Sequence, residues 1–411
     1  MSRRWISLTL GVVLVVGCTG GGPVPVDTAP PADGDPSPAA QAEPTQPATA
    51  PPADLAFAAI PGAELLIRGA RDADPAVSDA EVAALARANA GFALDLYRAL
   101  AAGDDGNLIL GPHSISSALA MVYVGARGRT AAEMAAVLHF DSLDAEVAPA
   151  FNALDLALGA RSVDGVDLRI ANQLFAQPGV RLLDSFLTTL SADFGAPLAE
   201  LDFDQPEVAR QVINGWASDR TNDRIKDLFP PGSIDRNVRL VIANAVSLDA
   251  EWRYRFERAD TRHEPFHLPD GSVVSVPTMH FDLYLPLAAT PEYEVVELPY
   301  GDGDLSMVVI LPEDLGRFEA SLDPERLERI FAGISEQGIH LSLPKFALNS
   351  QLPLDDTLKA LGMRSAYDAA DFSGMTGSPD LFVSTVQHQA FIEVDTNRSG
   401  EPVMPEKSAA S

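Results

Sequence analysis

The chain has 411 residues, of which 46% are hydrophobic, a proportion that allows one large domain with a substantial core. It carries a net charge of −29, from 58 acidic and 29 basic residues. Because this charge repels phosphate and sulfate groups, the sequence excludes nucleic acid and other polyanions as expected partners. Most of the excess is interpreted as ordinary surface charge that keeps the protein in solution rather than as an acidic binding site.

The N-terminus has the pattern of an export signal, assigned to residues 1–17. Arg3 and Arg4 precede an apolar run, Ile6–Val16, which is shorter than the ~20 residues that a membrane-spanning helix needs. Small residues then lead to Cys18, the single cysteine, so an intramolecular disulfide is excluded. The pattern resembles a bacterial lipoprotein signal, in which this cysteine is lipidated and anchors the protein to a membrane. The alternative is a plain secretory signal with an incidental cysteine.

Residues 18–78 are predicted to be the lipidated cysteine followed by a spacer. The stretch 19–54 contains ten prolines and neither Lys nor Arg, so it is predicted to be extended and disordered. Thr19, rather than an aspartate, follows the cysteine. By resemblance to lipoprotein sorting this favours the outer membrane, and the expected location is the bacterial cell surface, with the extracellular space as the alternative.

Helices are predicted first along the chain. Apolar residues recur at helical spacing from Val82 to Leu100 and stop at Gly103, and Pro112 suits the first position of the next helix. Further helices are predicted over 128–140, 143–158, 182–194 and 208–228, with a strand over 168–175 between them.

Strands dominate the rest of the chain. They are predicted at 238–248, 262–267, 273–281, 293–299, 304–311, 338–346 and 382–394. Asp270-Gly271 and the turn around Gly301 are hairpin signals between them. Helices followed by runs of strands are typical of an α+β domain with large mixed sheets.

The segment from His263 to His267 matches HExxH, a zinc-peptidase pattern with Glu264 as the base. That chemistry needs a helix, but Pro265 and the flanking residues indicate a strand, on which positions i and i+4 lie ~13 Å apart. A zinc peptidase is therefore the weakest interpretation, and no metal site or other cofactor is predicted.

Motifs for other catalytic chemistry are missing from the sequence. It contains no Gly-x-Ser-x-Gly elbow and no phosphate-binding P-loop, and the one cysteine lies in the signal. A Ser-His-Asp triad assembled by the fold is left open, although no residue is nominated for it. The protein is predicted not to be an enzyme.

Several separated segments, in family order, resemble the serpin family of protease inhibitors. The resemblance covers residues 79–395 and implies the multi-helix serpin fold with large mixed sheets. The segments are NLILGPHSISSALAMVYVGARGRTAAEM (107–134), VINGWASDRTNDRIKDLFPPGSID (212–235), VIANAVSLDAEW (241–252), EPFHLPDG (264–271), ELPYGDGDLSMVVILPED (297–314), LSLPKFALNSQLPLDDTLKALG (341–362) and VSTVQHQAFIEVD (383–395).

The resemblance also implies functional positions. Ser114, Asn244 and His388 match a polar cluster that controls opening of the main sheet, and Trp252 matches the tryptophan at the top of that sheet. Gly111 departs from the pattern, which has serine before the proline. Buried polar groups cost about 1–3 kcal/mol when unpaired, so partners on two sliding strands can latch one arrangement.

The implied partner is a serine endopeptidase, or a cysteine endopeptidase, trapped as a suicide substrate. In the family mechanism the protease cleaves an exposed reactive loop, becomes acylated, and is dragged away as the loop inserts into the sheet. No heparin-type cofactor is expected, because the helical stretch 143–161, near where some serpins bind one, has Arg161 as its only basic residue.

The pattern changes after Asp395. The family continues with an alanine-rich hinge, the loop and three strands, whereas residues 396–411 form an atypical tail with Pro402 and Pro405. Proline cannot donate to a central ladder, and charged residues there oppose burial. The expectation is a serpin domain truncated before its reactive loop, which does not inhibit. The alternative function is a surface-displayed serpin body that acts as a binding or scaffold lipoprotein.

Overall fold

The computed structural model describes residues 14–15, 59–66, 69–102, 106–143, 146–268, 271–302, 304–379, 381–396 and 398–399. Its first long helix begins at a reciprocal cap. Ser78 Oγ accepts from the Glu81 amide at 3.3 Å, and the Glu81 carboxylate accepts from the Ser78 amide at 2.7 Å. The helices are α1 (Asp79–Ala101), α2 (Pro112–Tyr123), α3 (Gly128–Val137), α4 (Val147–Gly159), α5 (Asp184–Phe194), α6 (Pro206–Arg220), α7 (Leu315–Ser321), α8 (Pro324–Ala332), α9 (Asp355–Leu361) and α10 (Ser373–Thr376).

The strands form two sheets, which confirms the predicted α+β class. In chain order they are β1 (Leu14–Val15), β2 (Glu64–Leu66), β3 (Val166–Ala176), β4 (Leu198–Glu200), β5 (Leu240–Glu251), β6 (Arg262–His267), β7 (Val273–Ala289), β8 (Tyr293–Pro299), β9 (Ser306–Pro312), β10 (Ser335–Pro344), β11 (Phe346–Pro353), β12 (Gln387–Val394) and β13 (Arg398–Ser399). The larger sheet has the order β11-β12-β13-β5-β3-β4-β2, and the smaller has β1-β9-β8-β7-β10 with β6 also paired to β7.

Side-chain alternation along β5 shows how the larger sheet is covered. Ile242 and Val246 belong to the main core with α1, α2 and α4, whereas Ala243 and Ala245 belong to a second core with α6. Because successive side chains of a strand point to opposite faces, Asn244 lies on the α2 face. The sheet is therefore a middle layer between α2 and α6.

Two predicted elements differ most from their bounds in the structure. The helix predicted over 208–228 ends at Arg220, because Asn222 and Asp223 adopt positive φ angles of 49° and 61°. The strand predicted over 273–281 continues to Ala289, paired with β10 along ten positions. β11 was not predicted, although it follows β10 after a single residue, Lys345.

The folded body begins earlier than the predicted domain start at residue 79. Ile60 is buried, and β2 pairs antiparallel with β4 at the edge of the larger sheet. Residues 60–66 are therefore part of the domain rather than of the spacer. Ile60, Ala63 and Leu65 pack on the second core, but three apolar residues are too few to distinguish a strand from a linker by sequence.

The tail also differs from its prediction. Arg398 and Ser399 pair with β5, and Ser399 also pairs with β12, whereas no tail residue was expected to pair in mid-sheet. Neither residue is a proline, so each has a backbone amide that can donate. The expectation was wrong for this pair, and residues 400–411 lie outside the described part of the chain.

Candidate functional site

The larger sheet is open between β5 and β12. Both strands run antiparallel to β13, so they run parallel to each other, and no ladder joins them directly in the described part of the chain. β13 fills one end of this space, where Arg398 pairs with Glu251, and Ser399 pairs with Ala250 and Val394. We call the space the strand gap. Its two edges can accept a further antiparallel strand.

A cavity of about 1040 Å³ lies against the strand gap. Its walls come from both gap strands and from α1, α2 and α8, and most lining side chains are apolar. This volume is slightly above the ~300–1,000 Å³ of typical ligand pockets and far exceeds the voids of a close-packed interior. The apolar lining includes Leu94, Ile109, Leu228, Phe229, Phe331 and Ile392.

A relay of hydrogen bonds fixes one side of the strand gap. The Ser114 hydroxyl, on the first turn of α2, donates to the side-chain oxygen of Asn244 on β5. The Asn244 amide donates to Asn172 Oδ1 at 2.7 Å, and Asn172 donates to the Phe194 carbonyl at 3.0 Å. The relay therefore holds α2 against β5 and β3.

His388 fixes α2 to the other side of the gap. The Gly111 amide, directly before α2, donates to His388 Nε2 at 3.0 Å. Burial lowers the pKa of His388 to about 4, so the ring is neutral at pH 7 and Nε2 can accept this bond. A Cβ at position 111 would lie 3.3 Å from His388 Cε1, a tight contact. The glycine that departs from the expected serine thus lets the ring approach the backbone.

The structure brings Ser114, Asn244 and His388 together at the first turn of α2. Ser114 and Asn244 bond directly, whereas His388 joins through the backbone of Gly111. Sequence reasoning missed Asn172, which is 2% exposed and interrupts the apolar series of β3 on its α2 face. A polar residue within that alternation was the available signal. Control of sheet opening by the cluster stays a prediction.

Trp252 lies at the end of the gap that β13 occupies. Its indole Nε1 donates to the Asp395 carbonyl at 2.9 Å, and its ring stacks on Tyr300 with centroids 4.9 Å apart. The Phe256 amide donates to the Thr396 carbonyl at 3.2 Å nearby. Trp252 therefore ties the end of β5 to the segment that follows β12. Its role in loop entry stays a prediction.

The HExxH segment forms a strand, as its proline indicated. His263, Glu264 and His267 all lie on β6, and Glu264 accepts from Arg262 at 2.8 Å and lies 3.2 Å from His280. The helix that zinc-peptidase chemistry requires is not formed by these residues. Among the described residues, no group of three or more His, Cys, Asp or Glu side chains is placed to hold a metal ion.

Two further expectations concern partners. Cys18 and the spacer 19–54 lie outside the described residues, so the lipid anchor stays a prediction. Within the described ranges, no helix has the length and apolar character to span a membrane. The expectation that no heparin-type cofactor binds concerned the stretch 143–161. Its one basic residue, Arg161, donates to the Ala157 carbonyl at the end of α4, and the expectation stays a prediction.

Comparison with known proteins identifies the family of this chain. The family model described as serpin (serine protease inhibitor) matches residues 87–402, the span that contains both gap strands and the polar cluster. The chain belongs to the serpin family. Its relatives include an uncharacterized serpin-like protein of Thermococcus kodakarensis, 37% identical over 74% of this chain and 72% of the relative. Leukocyte elastase inhibitor A of Rattus norvegicus is 35% identical over 76% of this chain and 86% of that inhibitor.

Solved serpin structures share the fold. Emu ovalbumin superposes with a TM-score of 0.73 at 25% identity, covering 79% of this chain and 92% of ovalbumin. A structure described as cleaved serpin 42Da superposes with a TM-score of 0.70 at 31% identity, covering 76% of this chain and 86% of that one. The multi-helix body with mixed sheets is thus the serpin fold.

Proposed function

We propose that the strand gap of this serpin receives an inserted strand and that its family role is inhibition of serine endopeptidases, with cysteine endopeptidases as a second class. One observation carries the proposal. β5 and β12 are parallel and separated, and β13 already lies between them, antiparallel to both. Relatives named leukocyte elastase inhibitor support the target class.

Insertion in this geometry is opposed by the contacts of α2. A strand that enters beyond β13 gains backbone hydrogen bonds with β5 and β12, each worth about 0.5–1.5 kcal/mol. To admit it, β5 and β12 must adjust over the first turn of α2, which is bonded to Asn244 on one side and His388 on the other. These bonds act as a latch. In the family role a serpin serves as bait for a protease, and we propose that this protein too is not an enzyme.

The 411-residue chain is proposed to be a body that binds without trapping a protease. Arg398 and Ser399 fill only the end of the gap, and the next residues, Gly400, Glu401 and Pro402, do not suit a buried ladder. A strand donor from residues 400–407 would bury Glu401 and Glu406 and would lack donors at two prolines. A binding or scaffold role is therefore the activity that we propose for the 411-residue chain.

A panel of serine and cysteine proteases tests this proposal. The 411-residue chain is mixed with each active protease, and the mixtures are resolved by denaturing electrophoresis while substrate hydrolysis is followed. Undiminished hydrolysis without a larger covalent band is expected. A band that survives denaturant and carries both proteins would show that residues 396–411 supply a working loop.

We further propose that Cys18 is lipidated and that the serpin body is displayed at the outer face of a bacterial membrane. The support is sequence alone: the apolar run before Cys18, and the proline-rich stretch 19–54 behind it. Cell fractionation of the wild type and the Cys18→Ala variant is the test. Wild type should be found with membranes and the variant in the soluble export fraction, whereas equal membrane retention would rule out the anchor.

A further inference from the structure

The first turn of α2 has a third attachment, which joins it to α4 rather than to a gap strand. His113 lies between the two positions, 111 and 114, that bond the gap strands. Its Nε2 lies 2.9 Å from Asp155 Oδ1 on α4, and its ring stacks on Phe151 with centroids 6.0 Å apart. The turn that latches the gap is therefore itself fastened to α4.

Asp155 needs charged or donating partners because its carboxylate is buried. Its side chain is 0% exposed, and it has contacts with His113 at 2.9 Å and with Arg71 at 3.5 Å. A buried carboxylate that loses a charged or donating partner is strongly destabilised. The three side chains therefore have one favourable arrangement, which restricts how far His113 can move.

Arg71 connects this arrangement to the segment that precedes α1. Arg71 Nε donates to Asn152 Oδ1 at 2.8 Å, and Asn152 Nδ2 donates to the Asp72 carbonyl at 2.8 Å. The Asp72 amide donates to the Ala192 carbonyl on α5 at 2.9 Å. Residues 69–78, which we call the strap, are thus bound to α4 and α5. The strap reaches the first turn of α2 only through Asp155 and His113 among these contacts.

We infer that Arg71, Asp155 and His113 are positioning residues for the strand gap. They hold the first turn of α2, and through Ser114 and Gly111 that turn sets the separation of β5 and β12. The strap is then a regulatory segment, because its release loosens the latch from a place remote from the gap. This inference rests on the proposed function, since it concerns the rate at which the gap accepts a strand.

The test measures strand uptake and stability in the same variants. The probe is a fluorescein-labelled peptide of 12 residues, the length of β5, with alternating alanine and threonine. His113→Phe keeps a ring against Phe151 but cannot bond Asp155, and Arg71→Met loosens the strap without touching α2 or a gap strand. Both should take up the peptide about tenfold faster than wild type, the rate change for about 1.4 kcal/mol.

Glu133→Gln is the matched control. Glu133 on α3 accepts from the Arg364 and Ser365 amides at 2.9 and 2.7 Å, so the variant loses stability at a site away from the first turn of α2. It should melt lower than wild type yet take up the peptide at the wild-type rate. Arg71→Met, in which the altered side chain is partly exposed, provides the result if His113→Phe does not fold.

The outcomes separate the two proposals. Wild-type protein that takes up no peptide would contradict the proposed function itself. Uptake by wild type at the same rate as both variants would overturn the positioning inference alone. Acceleration by Glu133→Gln equal to that of Arg71→Met would also overturn it, because uptake would then follow general stability rather than the attachment of α2.

Discussion

Asn244 is the residue on which the relay depends. It accepts from Ser114 and donates to Asn172, so one side chain satisfies two partners. Asn244→Ala should lower the free energy of unfolding by about 1–3 kcal/mol, because the Ser114 hydroxyl and the side-chain oxygen of Asn172 then lack their partner. Urea unfolding measures the change. Ser275→Ala, at an exposed serine, is the control and should change it by less than about 0.5 kcal/mol; equal effects would mean that the relay adds nothing.

The burial of His388 predicts that the free energy of unfolding decreases as the pH is lowered. Its ordinary pKa of 6.5 falls to about 4 in the folded protein because the ring is buried. The unfolded chain therefore binds a proton near pH 6.5 while the folded ring stays neutral. Above pH 6.5 the His388 ring does not reduce the free energy of unfolding. As the pH falls from 6.5 to about 4, this free energy decreases by about 3 kcal/mol in total.

Unfolding free energies between pH 7 and pH 4.5 check this dependence. His388→Gln, whose amide oxygen can still accept from Gly111, should show a flatter profile than wild type. His267→Gln, at an exposed histidine of β6, is the control variant and is measured in the same way. The same slope in His388→Gln as in wild type would assign the dependence to another group.

At the level of elements, β13 is expected to compete with an incoming strand. It pairs with Glu251, Ala250 and Val394 at the end of the gap that Trp252 adjoins. Removing residues 398–411 should speed uptake of the alanine–threonine peptide, because the end of the gap is then free. Removing only 402–411 is the control and should leave the wild-type rate. If both deletions behave alike, β13 does not guard the gap.

The elements also show what the sequence could predict. The helices before residue 200 and most strands follow from periodicity, and the resemblance located Ser114, Asn244 and His388. The partners of these residues did not follow, because Gly111 contributes a backbone amide and Asn172 meets Asn244 only through the pairing of β3 with β5. The end of α6 depends on two left-handed residues, Asn222 and Asp223, which helical periodicity does not register.

For the whole molecule, we predict that the apolar surface of the cavity is accessible to a small molecule. A cavity of about 1040 Å³ with mainly apolar walls should bind a dye whose fluorescence rises in apolar surroundings. Ala90→Leu, at a lining residue of α1, should reduce dye binding by filling part of it. Ala132→Leu, on an exposed position of α3, should not. A wild-type protein that binds no dye would contradict an accessible cavity.

The central claim is that the strand gap accepts a strand, and melting in the presence of the alanine–threonine peptide tests it most directly. Insertion between β5 and β12 adds backbone hydrogen bonds on both edges, at about 0.5–1.5 kcal/mol each, so the melting temperature should rise by on the order of 10 °C. A peptide of the same length in which proline replaces each threonine should cause no rise. An unchanged melting temperature after prolonged incubation with a large excess of the alanine–threonine peptide would contradict the claim.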